Sequence, residues 1–264
     1  MTALADGRQH PTPPEDTEAR SSRRPGRRRS PVWGAVGVIG ELLLTAGVLL
    51  GLYVVWQLWW TDLEGHARQE QSVAAIADAI GEAPTAVGAP RTDEPPPFSP
   101  AALTLPDGME ALGIVHVPSW GSDHGLPLIE GVGMDVMDFG ALGHYPGTAM
   151  PGEVGNFAAA GHRQTHGSPL GRVADLDAGD PIVVETADTY YVYRVTGSEI
   201  VRPWDVEVVA PVPGDPGAEP TERLMTLTTC HPFNYSTHRW ITYTELDHWV
   251  DRADGLPAEL LEED

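Results

Sequence analysis

The sequence predicts an all-β domain, either a barrel or a sandwich, that follows a single membrane-spanning helix. One long apolar run occupies residues 33–60. Beyond residue 112, short β-rich runs are separated by Gly, Pro, Asp and Asn, which is typical of small β-barrels and sandwiches. A chain of 264 residues has room for one domain of roughly 150 residues with a well-buried core.

The first 30 residues are polar and rich in Pro, Ser and Arg, so we expect a disordered tail. All the basic residues of the chain are arginines, and six of them cluster just ahead of the apolar run: Arg20, Arg23, Arg24, Arg27, Arg28 and Arg29. Basic residues beside a membrane span favour the cytoplasmic side. The tail is therefore predicted to be cytoplasmic.

Residues 31–60 are predicted to form the transmembrane anchor, since a bilayer requires about 20 apolar residues. The far end carries Trp56, Trp59 and Trp60, which suit the membrane interface. A cleaved signal peptide is the alternative, but its apolar core is only about 7–15 residues long. An uncleaved anchor places everything from about residue 62 outside the cytoplasm.

Residues 61–108 are predicted to be a solvated juxtamembrane helix, over 61–83, followed by a Pro-rich linker. These segments need only hold the domain away from the membrane. The formal net charge of −22 makes nucleic acid an unsuitable partner for the folded part.

The domain itself, residues 109–250, is predicted from its alternating β-rich runs. Strands are expected at 112–118, 126–131, 155–162, 180–186, 189–201, 223–230 and 239–246. One-turn helices are expected near 134–142 and 169–176. The acidic tail, 251–264, is expected to fray.

Cys230 is the one cysteine of the chain, in a compartment where thiols tend to oxidise. It is either a buried small apolar residue or a nucleophile. Strand alternation places it on one face with Thr226 and Thr228, whereas Met225 and Leu227 point to the other face. A face that carries threonines suits the floor of a groove better than an apolar core.

A cysteine nucleophile requires a proton-transfer partner and a donor for the oxyanion. His162 is the candidate partner because it ends a predicted strand and follows Gly161, which permits a close backbone approach. Arg239 is the candidate donor, since its guanidinium is permanently charged and carries five N–H groups. The alternative role for Arg239 is a surface ion pair.

These residues resemble the sortases, the cysteine transpeptidases of Gram-positive cell envelopes. The stretch "TLTTC" matches their TLxTC signature, "AGHR" contains the upstream histidine, and Arg239 is the downstream arginine. The stretches "GELLLTAG", "QLWWTDL", "HYPGTAMPGEVGNFAAAGHR" and "TLTTCHP" are similar to class E in particular. The resemblance covers the anchor and about residues 112–250. It departs at Phe233 and Asn234, where class E members often carry a lysine.

The resemblance implies an eight-stranded β-barrel whose enzyme cleaves a C-terminal LAxTG- or LPxTG-type sorting signal between Thr and Gly. It implies that Cys230 is the nucleophile, His162 the acid and base, and Arg239 the stabilising cation. Tyr145 would contact the alanine position of the signal, and Thr229 would orient the substrate site. The segment 202–222 would form the wall of the signal-binding groove, and its prolines suggest a preformed loop.

The implied partners are surface proteins that carry the signal, a cell-wall precursor amine and the membrane, with no cofactor and no resident metal. Some sortases bind calcium, and the many acidic residues leave that alternative open. Two other functions remain open from the residues. One is a membrane-tethered binding module with a buried cysteine. The other is an L,D-transpeptidase-like cell-wall enzyme, although such enzymes carry glycine where Thr229 stands.

Overall fold

The computed structural model describes residues 31–82, 84–105, 108–121 and 125–261. The prediction for the basic tail therefore lies outside the described residues, as does the end of the acidic tail. The chain divides into two units, one that ends at Gly51 and one that begins at Leu52.

Helix α1, Pro31–Ile80, is one uninterrupted helix. It is long and apolar enough to cross a membrane, and the described side chains over 32–51 are all exposed. The helix ends where Gly81 adopts a φ of +78°, a left-handed conformation that commonly terminates helices. The predicted anchor and the predicted juxtamembrane helix are thus continuous.

The second unit contains a closed β-barrel of eight strands, β2 to β9. A short strand β1 pairs outside it with β2. The strands are β1 Leu103–Thr104, β2 Glu110–His116, β3 Gly125–Glu130, β4 Leu142–His144, β5 Gly155–Ala160, β6 Pro181–Glu185, β7 Thr189–Val201, β8 Arg223–His231 and β9 His238–Asp251. Their order is β2-β3-β4-β5-β8-β9-β7-β6, and β6 pairs back to β2. The eight-stranded barrel is confirmed.

Most strand pairs are antiparallel, whereas β3–β4 and β5–β8 are parallel. The seven predicted strands are all present, but β9 extends to Asp251. The sequence did not predict β1 and β4, which have two and three residues and are too short to show a periodic pattern. Helix α2, Met134–Phe139, is shorter than predicted because the chain enters β4. The second predicted helix is a 3-10 turn, Val173–Asp175.

The interior of the barrel is filled by large apolar side chains from alternate strand positions. Phe157, Tyr191, Met225 and Leu227 all belong to this core and are fully buried or nearly so. Burial raises the pKa of Tyr191 to about 12. This core makes the barrel a rigid support for the residues on its outer face.

The expectation that residues 61–83 form a solvated helix is wrong. Gly65, Gln69, Ser72 and Ile76 are buried, and their spacing of four, three and four places them on one helix face. Ile76 is fully buried in a second apolar cluster with residues such as Ile114. This face of α1 therefore packs against the barrel.

The linker and the tail also pack on the barrel, contrary to the expectation that the tail frays. Leu256 forms a parallel bridge with Val87 and packs with Leu260 against a third apolar cluster. Arg252 is buried, and its guanidinium donates to the carbonyl oxygens of Ile80 and Gly81 at the end of α1. Leu256 and Leu260 stand among the acidic residues of the tail, and their apolar side chains attach it to the barrel.

Candidate active site

Cys230 and Arg239 lie directly opposite each other in the antiparallel ladder of β8 and β9. Residues in this relationship present their side chains on the same face, with Cβ atoms about 4.5–5.5 Å apart. The cysteine is free and half-buried. Arg239 Nη1 donates to the carbonyl oxygens of Ser236 and His238, at 3.0 and 2.9 Å. These bonds hold the guanidinium of Arg239 against the backbone between β8 and β9 and at the start of β9.

The two faces of β8 differ as the alternation predicts. Met225 and Leu227 point into the barrel core, whereas Thr226 and Thr228 share the outer face with Cys230. Both threonines are buried, because polar groups of neighbouring segments cover them. Thr226 Oγ1 donates to Asn156 Oδ1 at 2.8 Å, which ties this floor to β5.

His162 lies at the end of β5, beside the end of β8. The two strands run parallel, with Ala160 paired to Thr228, and Gly161 N donates to Thr228 O at 3.2 Å. His162 and Cys230 each lie two residues beyond this pair, so the topology brings them to the same end of the barrel.

Glycine at position 161 permits this approach. A Cβ there would lie 2.8 Å from a side-chain carbon of Leu142 and 3.0 Å from one of Leu170. Leu170 N in turn donates to His162 O at 2.9 Å. The close packing around Gly161 therefore fixes the backbone that carries His162.

An aspartate contacts His162, and the sequence analysis did not identify it. Asp138 Oδ1, near the end of α2, lies 3.0 Å from His162 Nε2 and 3.8 Å from His166 Nε2. The two imidazole rings stack with centroids 5.2 Å apart. The side chains of His162 and Asp138 are 24% and 43% exposed, so solvent partly screens their interaction.

These three residues also form a group that could hold a metal ion, since one donor atom from each lies within 4.8 Å of the others. Within the described ranges, Asp247, His248 and Glu259 form a second such group. His162 and His166 are separated by three residues, as paired histidine ligands of zinc often are. Asp138 lies 24 positions before His162, so its place in the group is not apparent from the sequence.

Tyr145 and Thr229 lie on opposite faces of β8 near Cys230. The hydroxyl of Tyr145 is 2.9 Å from Thr228 Oγ1 on the outer face, and Thr228 precedes Cys230 by two residues. Thr229 is 4% exposed, and its Oγ1 donates to Gly161 O at 2.7 Å. Thr229 thus ties β8 to the residue before His162, and its hydroxyl points away from the accessible face.

Arg163 is a further residue of the site that the sequence analysis passed over. It is 8% exposed, and its Nη1 donates to His231 Nδ1 at 2.9 Å and to Cys230 O at 3.4 Å. Its guanidinium also lies 5.3 Å from the ring centroid of Trp240. Arg163 therefore holds the strand end on which the thiol stands.

His231, the residue after the cysteine, is a neutral acceptor for this arginine. Burial lowers the pKa of His231, and the charges of Arg163 and His238 lower it further. A neutral ring can accept at Nδ1, whereas an imidazolium can only donate. His231 is thus engaged in a structural bond beside the thiol.

A cleft of about 880 Å³ lies along the outer face of β7 and β9. Most of its charged lining residues are acidic, namely Glu199, Asp205, Glu207 and Glu222 beside Arg202. The connection over 202–222 forms its wall. Asn156 Nδ2 donates to the carbonyl oxygens of residues 208 and 210 of this connection, at 3.4 and 3.0 Å. These bonds support the prediction of a wall that is formed in advance.

Comparison with known proteins gives a consistent result. The sortase domain family matches residues 115–247, a range that contains His162, Cys230 and Arg239. Sortase SrtE1 of Streptomyces coelicolor is 35% identical over 249 residues, which cover 91% of this chain and 66% of that protein. The chain thus spans just under two thirds of the length of that relative. Sortase SrtE2 of the same organism is 34% identical, over 90% of this chain and 91% of that protein.

Solved structures show the same similarity. The SrtA sortase from Actinomyces oris is 44% identical with a TM-score of 0.59, over 66% of this chain and 98% of that one. Sortase E1 from Streptomyces coelicolor, solved with a tripeptide in the active site, is 39% identical with a TM-score of 0.52. That match covers 56% of this chain and 95% of that one.

Proposed function

Because this chain belongs to the sortase family, we propose that it is a membrane-anchored cysteine transpeptidase that attaches surface proteins to the cell wall. Its substrate is a C-terminal LAxTG- or LPxTG-type sorting signal, cleaved between Thr and Gly. The observation that carries the proposal is the direct pairing of Cys230 with Arg239, at the barrel end where His162 also lies.

In the first half-reaction, the Cys230 thiolate attacks the carbonyl carbon of the threonine residue. The S–C bond forms, and the carbonyl oxygen becomes an oxyanion. When the tetrahedral intermediate collapses, the C–N bond to glycine breaks and the imidazolium of His162 gives its proton to the departing amine. The products are a thioester on Cys230 and a free glycine amine.

In the second half-reaction, the amine of a cell-wall precursor attacks the thioester carbon. The new C–N bond forms, the S–C bond breaks, and the imidazole of His162 accepts the proton that the amine loses. Cys230 returns to the thiolate. The protons and bonds balance over the two halves.

Arg239 acts as the oxyanion donor, since its charged guanidinium stands on the same face as the thiol. Donors that are fixed in advance stabilise the developing charge without reorganisation. The bonds to Ser236 O in the β8–β9 connection and to His238 O at the start of β9 supply this preorganisation. Asp138 accepts a hydrogen bond from His162 and so orients the imidazole.

Tyr145 contributes to recognition of the signal beside the threonine. Its hydroxyl bond to Thr228 holds the ring on the groove floor, where the ring can contact the small residue of an LAxTG signal. Thr229 supports the site from below through Gly161. The acidic wall of the cleft accommodates the remainder of the peptide.

The membrane orientation follows from the charges that flank α1. The arginine cluster before the apolar segment supports a cytoplasmic N-terminus, and with it an extracytoplasmic barrel. A catalytic domain on that side is in the compartment where both the secreted signal and the cell-wall amine occur.

The test is intact-mass analysis of the full chain in detergent, incubated separately with an LAxTG peptide and an LPxTG peptide. We expect a thioester adduct on the wild type that is absent in Cys230→Ala, and more adduct with the LAxTG peptide. The Cys230→Ala protein must melt at the wild-type temperature for the comparison to count.

Two outcomes would overturn the proposal. An adduct that persists in Cys230→Ala would place the nucleophile elsewhere. No adduct with either peptide, together with a Cys230 that resists iodoacetamide in the folded protein, would favour a binding module with an incidental thiol.

A further inference from the structure

Helix α1 contacts the segment that follows His162, through residues that lie between the apolar run and Ile76. Gln69 Nε2 donates to Gly140 O at 2.7 Å and to Gly167 O at 3.1 Å, and this amide is buried. Gly140 ends α2, the helix of Asp138, and Gly167 follows His166. One side chain of α1 therefore joins the two segments that carry the Asp138, His162 and His166 group.

Asp62 makes a second connection, about two turns earlier on the same helix. Its Oδ1 accepts from Gly167 N at 3.1 Å and from Ser168 Oγ at 3.0 Å. These bonds satisfy a backbone N–H and a hydroxyl of the same short segment.

Gly65, between these two residues, allows the helix to approach the segment without any intervening side chain. A Cβ on Gly65 would lie 2.1 Å from the carbonyl carbon of His166 and 2.2 Å from Gly167 N. Backbone atoms cannot yield as a flexible side chain can, so an alanine at this position would displace the segment or the helix.

The segment held in this way has a strained backbone. Thr165, His166, Gly167 and Ser168 have φ values of +70°, +50°, +78° and +44°. Consecutive left-handed residues other than glycine are unfavourable, and such strain persists only where the surrounding structure imposes it. The contacts from α1 are part of that surrounding structure.

We propose that Asp62, Gly65 and Gln69, which we call the helix bracket, are positioning residues for the proposed acid and base His162. The bracket keeps the left-handed turn 165–168 in place, so that the ring at position 166 stacks on His162 and both rings face Asp138. The proposal rests on the role of His162 given above. It makes the first turns of α1 beyond the apolar run part of the catalytic machinery.

Gly65→Ala in the full chain is the primary test. Alanine favours an isolated helix over glycine, so any loss comes from the contact with 166–167. We expect kcat for the LAxTG peptide to fall on the order of 10-fold to 100-fold, with KM within about two-fold. Gly51→Ala is the matched control, because a Cβ there meets no atom within 4 Å, and it should keep wild-type kinetics.

The division of the effect between kcat and KM separates positioning from general loss of folded protein. A displaced imidazole lowers kcat, because the ring must lie within hydrogen-bond reach of the proton that it transfers. A loss of folded protein would lower kcat only in proportion to the fraction that is unfolded in a thermal melt.

A second pair of variants covers the case in which Gly65→Ala does not fold. Asp62 is half-buried, and Asp62→Ala removes the bonds to Gly167 and Ser168 together with a partly exposed ion pair to His66. Exposed Glu70→Ala is its control. We expect Asp62→Ala to lower kcat with little change in KM, and Glu70→Ala to keep the wild-type values of both. Wild-type kcat in both Gly65→Ala and Asp62→Ala would overturn the bracket.

Histidine modification gives a readout that does not require activity. Diethyl pyrocarbonate should modify His162 and His166 faster in Gly65→Ala than in the wild type, as counted by mass spectrometry of peptides. If the wild type forms no thioester on Cys230, the proposed function fails, while the modification rates still test the bracket. Equal modification rates in the two proteins would contradict the bracket alone.

Discussion

Asp138 Oδ1 lies 3.0 Å from His162 Nε2, although the two residues are separated by 24 positions along the chain. The contact gives the imidazole an acceptor on one nitrogen, which orients the ring. The carboxylate also faces the positive charge that the ring carries as an imidazolium. Both effects serve a histidine that must first donate a proton and later accept one.

Asp138→Asn should lower kcat by roughly 10-fold or more, as a share of the 10²–10⁴ that general acid–base catalysis supplies. The effect should fall on kcat rather than on KM, because the asparagine no longer holds the ring in the orientation that proton transfer requires. Asp135→Asn on the same helix, with an exposed carboxylate, is the control. Steady-state kinetics provide the measurement. Equal values of kcat for the two variants would exclude the orienting role.

Arg239→Met should slow formation of the thioester by about 10²–10³-fold, the usual effect of losing one oxyanion donor. Arg239→Lys should recover only part of the rate, since an ammonium lacks the planar fork of the guanidinium. Single-turnover kinetics with saturating peptide separate this effect from binding. A variant that loses affinity while it keeps the single-turnover rate would show that Arg239 holds the peptide instead.

The Tyr145–Thr228 pair should show energetic coupling in peptide binding. Tyr145→Phe and Thr228→Val each remove the same hydrogen bond, which is worth about 1 kcal/mol, so each should raise KM about five-fold. The double variant should be little worse than either single variant. Additive effects on KM would show that the two side chains act independently of their bond.

The stability of the domain should depend on Glu185 and Arg252. Burial raises the pKa of Glu185, but hydrogen bonds and charges from His116 and Arg252 outweigh burial and lower it below 4.5. A lowered pKa means that the contribution to stability is complete above about pH 4.5 and is lost as pH falls further. The melting temperature in detergent should therefore drop below that pH.

Arg252→Met tests the same pair at neutral pH. The variant removes one of the two basic partners of the buried Glu185 carboxylate, and His116 remains. Breaking a buried ion pair costs about 3–5 kcal/mol, so we expect a loss near the lower end of that range. Arg91→Met is the matched control, because the pair of Arg91 with Asp254 is about half exposed and worth about 1 kcal/mol or less. Equal melting temperatures for the two variants would show that the buried Glu185–Arg252 pair does not stabilise the domain more than the exposed Arg91–Asp254 pair.

The sequence predicted the strands that carry Cys230 and Arg239, because β-rich composition and alternation are visible in short stretches of sequence. The run that ends at Cys230 and the run that begins at Arg239 are adjacent β-rich segments, and adjacent segments commonly pair as hairpins. Alternation then predicted which side of β8 faces the core, and the structure agrees. The position of His162 followed from a glycine at a strand end.

The missed parts of the site depend on contacts that no local pattern reports. Asp138 reaches His162 through the packing of a six-residue helix, and an aspartate there has no distinguishing neighbour. Thr165 and Ser168 are uncommon choices for positive φ, so the left-handed turn had no sequence signal. Gln69 was predicted to face solvent because its side chain is polar. The sequence does not distinguish an exposed amide from one that is buried and hydrogen-bonded, as this one is.

The bonds from Arg252 to Ile80 and Gly81 span more than 170 residues of chain. The end of α1 is therefore capped only after the ribosome has synthesised the whole barrel and Arg252 itself. Contacts of such long sequence separation form late and slow the folding of a domain. The attachment of the end of α1 is therefore completed by a contact that the chain can make only once the whole barrel has been synthesised.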